Sequence, residues 1–236
     1  AEPDIWMRQN GDIYEYIGVC VDDLAIVAQN PQAIVDVLES KHGFKLKGTG
    51  PISFHLGMDF FRDSNGVLCV APKKYIKKMV SSYVTLFGTK PSTKYMSPLE
   101  KGDHPELDTS EFLDMTGIQQ YQSMIGALQW SVSIGRLDIT TAVMTMSSFR
   151  AMPRRGHMDR VKRIYGYLYK MKDAVLRICA AEPDYSALPN QQFDWAKTVY
   201  GDISEMVPAD IPTPLGNYVT LTHYFDATSV NKIASY

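Results

Sequence analysis

Residues 13–28 read IYEYIGVCVDDLAIVA, and this stretch decides the fold of the first part of the chain. Apolar and polar residues alternate over residues 12–19, which is typical of a strand with one buried face. Residues 24–28 form a second short apolar run, which also predicts a strand. The intervening Val21-Asp22-Asp23 therefore predicts a tight hairpin with two carboxylates at its tip.

The residues after this hairpin predict a helix and three more strands. Asn30 and Pro31 suit the N-cap and first position of a helix, and His42-Gly43 suits its end. The three strands are predicted at residues 44–47, 52–61 and 67–70. A turn at Asn65-Gly66 joins the last two strands.

From Pro72 the spacing of apolar residues becomes helical. Helices are predicted over about residues 72–84, 118–133, 138–151 and 156–171, with a loop rich in proline and acidic residues at 88–116. Residues 182–217 contain five prolines and many acids, so they predict an irregular linker. Residues 218–225 predict one last strand. The order of strands, helices and a final strand favours an α+β fold.

Length and composition exclude several classes of protein. The 236 residues suit one large domain or two smaller ones, and no apolar run approaches the roughly 20 residues that span a bilayer. Three distant cysteines argue against a disulfide scaffold or a CxxC-type zinc site and favour a reducing compartment. The start is no signal peptide, because it carries Glu2, Asp4 and Arg8. It also lacks an initiator Met, so we expect the chain to derive from a longer one.

The net charge of −2 argues at first against a basic nucleic-acid binder, but the charges occur in blocks. Residues 70–101 carry seven lysines and one glutamate, and residues 150–177 carry nine basic and two acidic side chains. Acidic segments surround both blocks. Two basic blocks favour contacts with a polyanion. The alternative is that each block is the solvated face of a helix.

The two carboxylates at the predicted hairpin tip suit metal-dependent phosphoryl transfer. Mg²⁺ prefers oxygen ligands and bridges to substrate phosphates, and two such ions stabilise the attacking and leaving oxygens. Adjacent strand residues point to opposite faces, so Asp22 and Asp23 converge only if the turn redirects one of them. The alternative is a solvated acidic turn.

The wider sequence resembles a known family. Residues 16–24, YIGVCVDDL, resemble the xVDD hairpin in the palm of retroelement reverse transcriptases. Residues 44–51, FKLKGTGP, and 54–60, FHLGMDF, resemble the family's next palm segment and its primer-contacting hairpin. The motifs that follow in order are KKYI at 73–76, YQSMIGAL at 121–128, RLDI at 136–139 and KRIYGYL at 162–168. Over residues 4–175, this succession resembles the palm, thumb and connection of copia-type LTR retrotransposon polyproteins.

The resemblance implies a division of the chain and an activity. Residues 1–70 would be the C-terminal part of the palm, 71–180 the helical thumb and connection, 181–217 a linker, and 218–236 the start of ribonuclease H. The activity would be that of an RNA-directed DNA polymerase, which extends a primer on its template from dNTPs with Mg²⁺ or Mn²⁺. Its implied location is the cytoplasm, in a virus-like particle, or the nucleus, without a membrane.

The resemblance also implies roles in the palm. Asp22 would be a ligand of the catalytic metals, and Asp23 its supporting neighbour. Lys45 or Lys47 would lie near the phosphates of the incoming nucleotide and could protonate the leaving pyrophosphate. Which of the two lysines acts stays open, as does the alternative of exposed strand lysines.

Further positions would meet nucleic acid or a second metal site. The residues that would pack under the primer end are Phe54, His55, Leu56 and Gly57. In the alternative, Phe54 and Leu56 are core residues, and His55 is a non-catalytic histidine whose hydrogen bonds are satisfied within the fold. Asp226 would be the first metal ligand of ribonuclease H, or simply a strand-end aspartate. Contacts with template–primer phosphates would come from Lys73, Lys74, Lys77, Lys78, Arg154, Arg155, Lys162 and Arg163. The interleaved tyrosines Tyr165, Tyr167 and Tyr169 favour helix packing over base stacking.

Some features depart from the family pattern. Cys20 stands where most members have an aromatic residue, and Asp4 and Asp12 do not lie in the motif that supplies an earlier palm aspartate. The fingers are absent, so we expect the chain alone to be inactive. The alternative function is a non-catalytic nucleic-acid-binding or scaffold fragment of a decayed element. A third reading, an unrelated metal nuclease, explains none of the downstream motifs.

Overall fold

The computed structural model describes residues 3–178, 197, 199, 201 and 208–215. These residues form two compact units, one up to Thr49 with the short pieces at 197–215, the other from Gly50 to residue 178. The boundary predicted at residue 70 lies where strands give way to helices along the sequence. In the structure, the strands after Gly50 belong to the same compact unit as the helices. The assignment of segments to palm, thumb and connection stays a prediction.

The first unit contains a three-stranded antiparallel sheet and one helix. Its strands are β1 (Ile5–Asn10), β2 (Ile13–Cys20) and β3 (Asp23–Val27), in that order across the sheet. The helix α1 (Pro31–His42) begins at Asn30, whose side chain accepts a hydrogen bond from the Ala33 N–H, and ends at a left-handed Gly43. The predicted hairpin and helix are confirmed, and β1 was not predicted.

The strand predicted at residues 44–47 is wrong. After the left-handed Gly43, the Phe44 N–H donates to the Leu38 carbonyl at 3.1 Å, which turns the chain back along the end of α1. Residues 43–47 pair with no strand. The alternation of Phe44-Lys45-Leu46-Lys47 therefore lacks the neighbouring strand that would stabilise it.

The second unit contains a four-stranded antiparallel sheet. Its order is β4 (Phe54–His55), β5 (Met58–Arg62), β6 (Leu68–Ala71) and β7 (Leu176–Ile178). The turn at Asn65-Gly66 is confirmed within a loop of five residues, in which the Asp63 carboxylate accepts hydrogen bonds from the backbone N–H groups of Asn65 and Val67. β7 was not predicted.

Four helices complete the second unit: α2 (Lys73–Phe87), α3 (Met115–Ser133), α4 (Thr140–Ser147) and α5 (Arg155–Lys170). The predicted helix at 138–151 is shorter, because a 3₁₀ turn, Leu137–Ile139, precedes α4 and the helix stops at Ser147. These helices enclose the core, in which Tyr121, Ile125, Val143 and Ile164 are fully buried. Helices beside antiparallel sheets confirm the α+β class. No helix among the described residues combines the length and apolarity needed to cross a membrane.

The connecting loop (residues 88–114) lies on α5 and is held there by ion pairs. Arg160 donates to the Asp103 carboxylate at 2.7 and 2.8 Å and to Asp108 at 2.6 Å. The Arg160 hydrogen bond lowers the pKa of Asp103, although burial opposes it. Burial also opposes ionisation of Asp108, but hydrogen bonds from Ser110 and Arg160 outweigh it and lower the pKa of Asp108 to about 2.

A buried histidine fixes the same loop. His157 Nε2 lies 2.9 Å from the Pro105 carbonyl oxygen, and its Nδ1 accepts a hydrogen bond from the Arg154 backbone N–H at 3.1 Å. This pair of contacts selects the neutral tautomer with a proton on Nε2. Burial lowers the pKa of His157.

Candidate functional site

The tip of the first hairpin holds a strained residue. Cys20 pairs with Asp23, so Val21 and Asp22 form a two-residue turn. Val21 has a φ of +54° and Asp22 does not have a positive φ, which is the sign pattern of a type II′ turn. Glycine is usual at that first position, because a β-branched residue there is strained. The Val21 side chain is 91% exposed, so no burial offsets the strain. A strained residue of this kind marks the tip as a candidate functional site.

The two carboxylates at this tip are both exposed. Within the described part of the chain, neither Asp22 nor Asp23 forms a hydrogen bond or ion pair with another side chain. They are thus open to an external cation. Among the described residues, however, no three His, Cys, Asp or Glu side chains lie close enough to hold a metal. The described residues therefore do not complete a metal site by themselves, and the role of Asp22 and Asp23 as metal ligands stays a prediction.

The other acidic residues of this sheet lie at different distances from the hairpin tip. Glu15 lies five residues before Cys20 on β2, about 17 Å along the strand, and receives hydrogen bonds from Asn10 and Arg8. These bonds hold the pKa of Glu15 below its ordinary value, against burial. Asp4 lies at the hairpin end of the sheet, where its carbonyl accepts from the Val19 N–H at 2.8 Å, and Asp12 lies at the opposite end.

Cys20, Lys45 and Lys47 lie in the same unit. Cys20 is a free, half-buried thiol at the end of β2. Lys45 and Lys47 are exposed in the irregular segment after α1. The structure does not distinguish between these two lysines, so the general-acid role stays a prediction.

The predicted primer-contacting hairpin forms in the second unit. His55 pairs with Met58, which makes Leu56-Gly57 a two-residue turn with φ values of +49° and +86°, as in type I′. Phe54 and Leu56 are 48% and 43% exposed, so they are not core residues. His55 is half-buried.

The predicted lysine surface (Lys73, Lys74, Lys77 and Lys78) lies on α2, on the side away from the buried Ile76 and Met79. The Lys74 ammonium is 4.3 Å from the centre of the Phe54 ring and 3.5 Å from an Asp59 carboxylate oxygen. Lys73 covers Phe61 in the same way, at 4.7 Å. The ammonium groups of Lys77 and Lys78 contact no acceptor among the described residues. The surface therefore combines two oriented and two free cations.

Of the four predicted contacts in the second basic block, Arg154, Arg155 and Arg163 contact the connecting loop and Lys162 contacts α2. Arg154 stacks on Phe112 at 3.8 Å, and Arg155 pairs with Glu111 at 3.1 Å. Arg163 reaches the Ser97 carbonyl and the Glu100 carboxylate, and Lys162 lies over Phe87 at 4.5 Å. These contacts give the four side chains a structural role. Their predicted phosphate contacts stay predictions.

Two aromatic features bear on the site. Tyr165 is buried and donates a hydrogen bond to the Met124 carbonyl, which confirms helix packing for this tyrosine. Trp130 on α3 is 48% exposed and lies beside the Leu56-Gly57 turn. No motif in the sequence pointed to Trp130, because it lies 73 residues beyond Gly57. The predicted final strand and Asp226 lie outside the described residues.

Comparisons with known proteins show which family this chain belongs to. The chain is 30% identical over 224 residues to the putative transposon Ty5-1 protein of Saccharomyces cerevisiae, covering 94% of this chain and 67% of that protein. It is 27% identical over 169 residues to the retrovirus-related Pol polyprotein from transposon RE1 of Arabidopsis thaliana, covering 71% of this chain and 11% of that polyprotein. The corresponding polyprotein from transposon TNT 1-94 of Nicotiana tabacum is 28% identical over 151 residues, covering 63% of this chain and 11% of the polyprotein.

These matches span about a tenth of each Pol polyprotein and two thirds of the Ty5-1 protein. No family model matches the chain. No solved structure matches it either. The identity to the Ty5-1 protein and the length that it covers show that the chain belongs to the family of retrotransposon-encoded, retrovirus-related polyproteins.

Proposed function

We propose that this chain is the part of a copia-type reverse transcriptase that runs from the palm hairpin through the thumb and connection. The single observation that carries the proposal is the strained turn at Val21, which presents the exposed and unpaired Asp22 and Asp23. An acidic turn without a role could relieve this strain with glycine at the first position. Membership in a family of Pol polyproteins supports the same assignment.

In this proposal Asp22 and Asp23 supply part of the ligand set for Mg²⁺ or Mn²⁺. The described residues hold no cluster that completes the set. A further ligand must therefore come from outside the described residues, either from another part of this chain or from the rest of the polyprotein.

The basic surfaces suit the template–primer partner. Lysine contacts with phosphates give affinity without reading sequence, as a polymerase requires. Lys77 and Lys78, exposed and without acceptors, are the groups best placed for such contacts. The dNTP would meet the first unit, where Lys45 and Lys47 are exposed.

A chimeric polyprotein tests the proposal. The segment of the RE1 Pol polyprotein that matches this chain is replaced by the chain, and primer extension is measured on an RNA template with Mg²⁺ and dNTPs. We expect extension by the chimera and none by the isolated chain. The isolated chain should still bind an RNA–DNA primer–template duplex, more weakly as salt increases.

The second candidate function is a non-catalytic nucleic-acid-binding or scaffold protein, and the missing third ligand among the described residues favours it. This function predicts that the isolated chain and the chimera both bind the duplex and that the chimera does not extend the primer. The RE1 polyprotein with its own segment serves as the positive control. If neither protein binds the duplex even at low salt, both functions are wrong.

A further inference from the structure

Trp130 presents a half-exposed aromatic ring beside the Leu56-Gly57 turn. It lies near the end of α3, where Ile134 on the next turn of the helix is buried while the Trp130 side chain is 48% exposed. A β-carbon placed on Gly57 would lie 3.8 Å from Trp130 Nε1 and 3.9 Å from Ile134 Cδ1. The turn therefore lies directly against the indole edge.

The indole N–H donates to no acceptor among the described residues. A tryptophan that is half in solvent has an apolar ring and a polar N–H available to a ligand. Because Gly57 has no side chain, this residue covers the indole edge with its backbone only.

The same hairpin carries a second aromatic ring and a fixed cation. Phe54 is 48% exposed, and the Lys74 ammonium lies 4.3 Å from the centre of its ring. The Asp59 carboxylate holds Lys74 in place. One of its oxygens lies 3.5 Å from the Lys74 ammonium, and the other accepts a hydrogen bond from the Lys74 backbone N–H at 3.3 Å. Aromatic rings with adjacent cations are the pattern by which proteins bind strands of nucleic acid, through stacking and phosphate attraction.

We infer that Trp130 is a further nucleic-acid contact, which stacks on an unpaired or terminal base of the strand that crosses the Phe54–Gly57 hairpin. Its N–H donates to a sugar or phosphate oxygen of the same strand. The inference rests on the proposed function, because it takes nucleic acid as the partner of this hairpin. It adds a contact on α3, outside the hairpin and outside both basic blocks.

Tryptophan fluorescence reports the contact directly. The chain has three tryptophans, Trp6, Trp130 and Trp195, so the Trp6→Phe/Trp195→Phe variant leaves Trp130 as the single emitter. This variant is titrated with an RNA–DNA primer–template that has a single-stranded overhang and a labelled end for anisotropy. We expect quenching of Trp130 emission in step with the anisotropy, and protection of Trp130 from acrylamide in the complex.

Affinity provides a second readout. Loss of one base–aromatic stack in Trp130→Ala should weaken binding about 5- to 150-fold, and Trp130→Phe should retain most of the affinity. Met115→Ala is the matched control, because Met115 is 72% exposed on the same helix, 15 residues and about 22 Å away. Its affinity should equal that of the parent chain.

The outcomes separate this inference from the proposed function. If the duplex binds without quenching and Trp130→Ala binds it as tightly as the parent does, Trp130 is no contact, while the nucleic-acid function stands. If Trp130→Ala does not fold by circular dichroism, the quenching of Trp130 emission decides the matter. If the parent chain shows no anisotropy change at low salt, both the inference and the proposed function are overturned.

Discussion

Replacing Gly166 by alanine tests how the connecting loop lies on α5. A β-carbon at Gly166 would collide with the Ser92 carbonyl oxygen and lie 2.8 Å from Tyr95 Cδ2. The first of these atoms is backbone, so it cannot rotate away as a side chain would. Overpacking of this kind costs about 1–3 kcal/mol, and the helix gains about 1 kcal/mol when alanine replaces glycine. We expect Gly166→Ala to lower the free energy of unfolding by up to about 2 kcal/mol.

Gly126 on α3 is the matched control. It is exposed within a helix, and nothing lies within 4 Å of the position of its β-carbon. Gly126→Ala should therefore raise the free energy of unfolding by about 0.5–1 kcal/mol. Urea denaturation followed by circular dichroism at 222 nm measures both variants. If Gly166→Ala is stabilised as much as Gly126→Ala, the loop does not cross α5 at Gly166 and the reasoning is refuted.

Three further predictions concern pH and charge. The lowered pKa values of Asp103 and Asp108 mean that their contribution to stability is present above about pH 4 and is lost as the pH falls towards about 2. Asp108→Asn should therefore lose less stability over that range in acid unfolding. The lowered pKa of His157 means that stability decreases as the pH falls below about 6.5, and unfolding curves should show a smaller decrease in His157→Gln. In Lys77→Gln/Lys78→Gln, the slope of log affinity for the duplex against log salt should become shallower by up to about 2, whereas Lys101→Gln in the connecting loop should retain the parent slope.

The elements that the sequence predicted well carry strong local signals. The N-cap Asn30 and the left-handed Gly43 bound α1 as expected, and the lysine spacing on α2 matches its exposed side. The hairpin at Val21-Asp22 follows from two short apolar runs that leave only a turn between them. These signals act over a few residues, so they do not depend on contacts with the rest of the fold.

Elements that depend on pairing with another strand were missed or misassigned. β1 is exposed along all six residues, and it forms because each residue pairs with β2 in a continuous register. Residues 44–47 alternate like a strand but have no strand to pair with, and the Gly43 cap turns them back along α1. Tertiary context decides such segments.

The same reason limits what the sequence shows of the site. The xVDD turn was visible from the sequence, but the strain at Val21 was not. Arg163 bonds to Ser97, 66 residues earlier in the chain, and Trp130 meets Gly57 only through the fold. A count of basic residues could not separate the arginines that hold the connecting loop from the lysines that face solvent.

Primer extension by Asp22→Asn in the chimeric RE1 polyprotein tests the central claim most directly. Asp12→Asn, an exposed aspartate at the other end of the same sheet, is the control. Loss of groups that only support a metal ligand costs about 10–100-fold, so loss of the proposed ligand should lower extension at least about 100-fold. Asp12→Asn should extend at the rate of the parent chimera. Full activity in Asp22→Asn would contradict the assignment of this hairpin as the catalytic site.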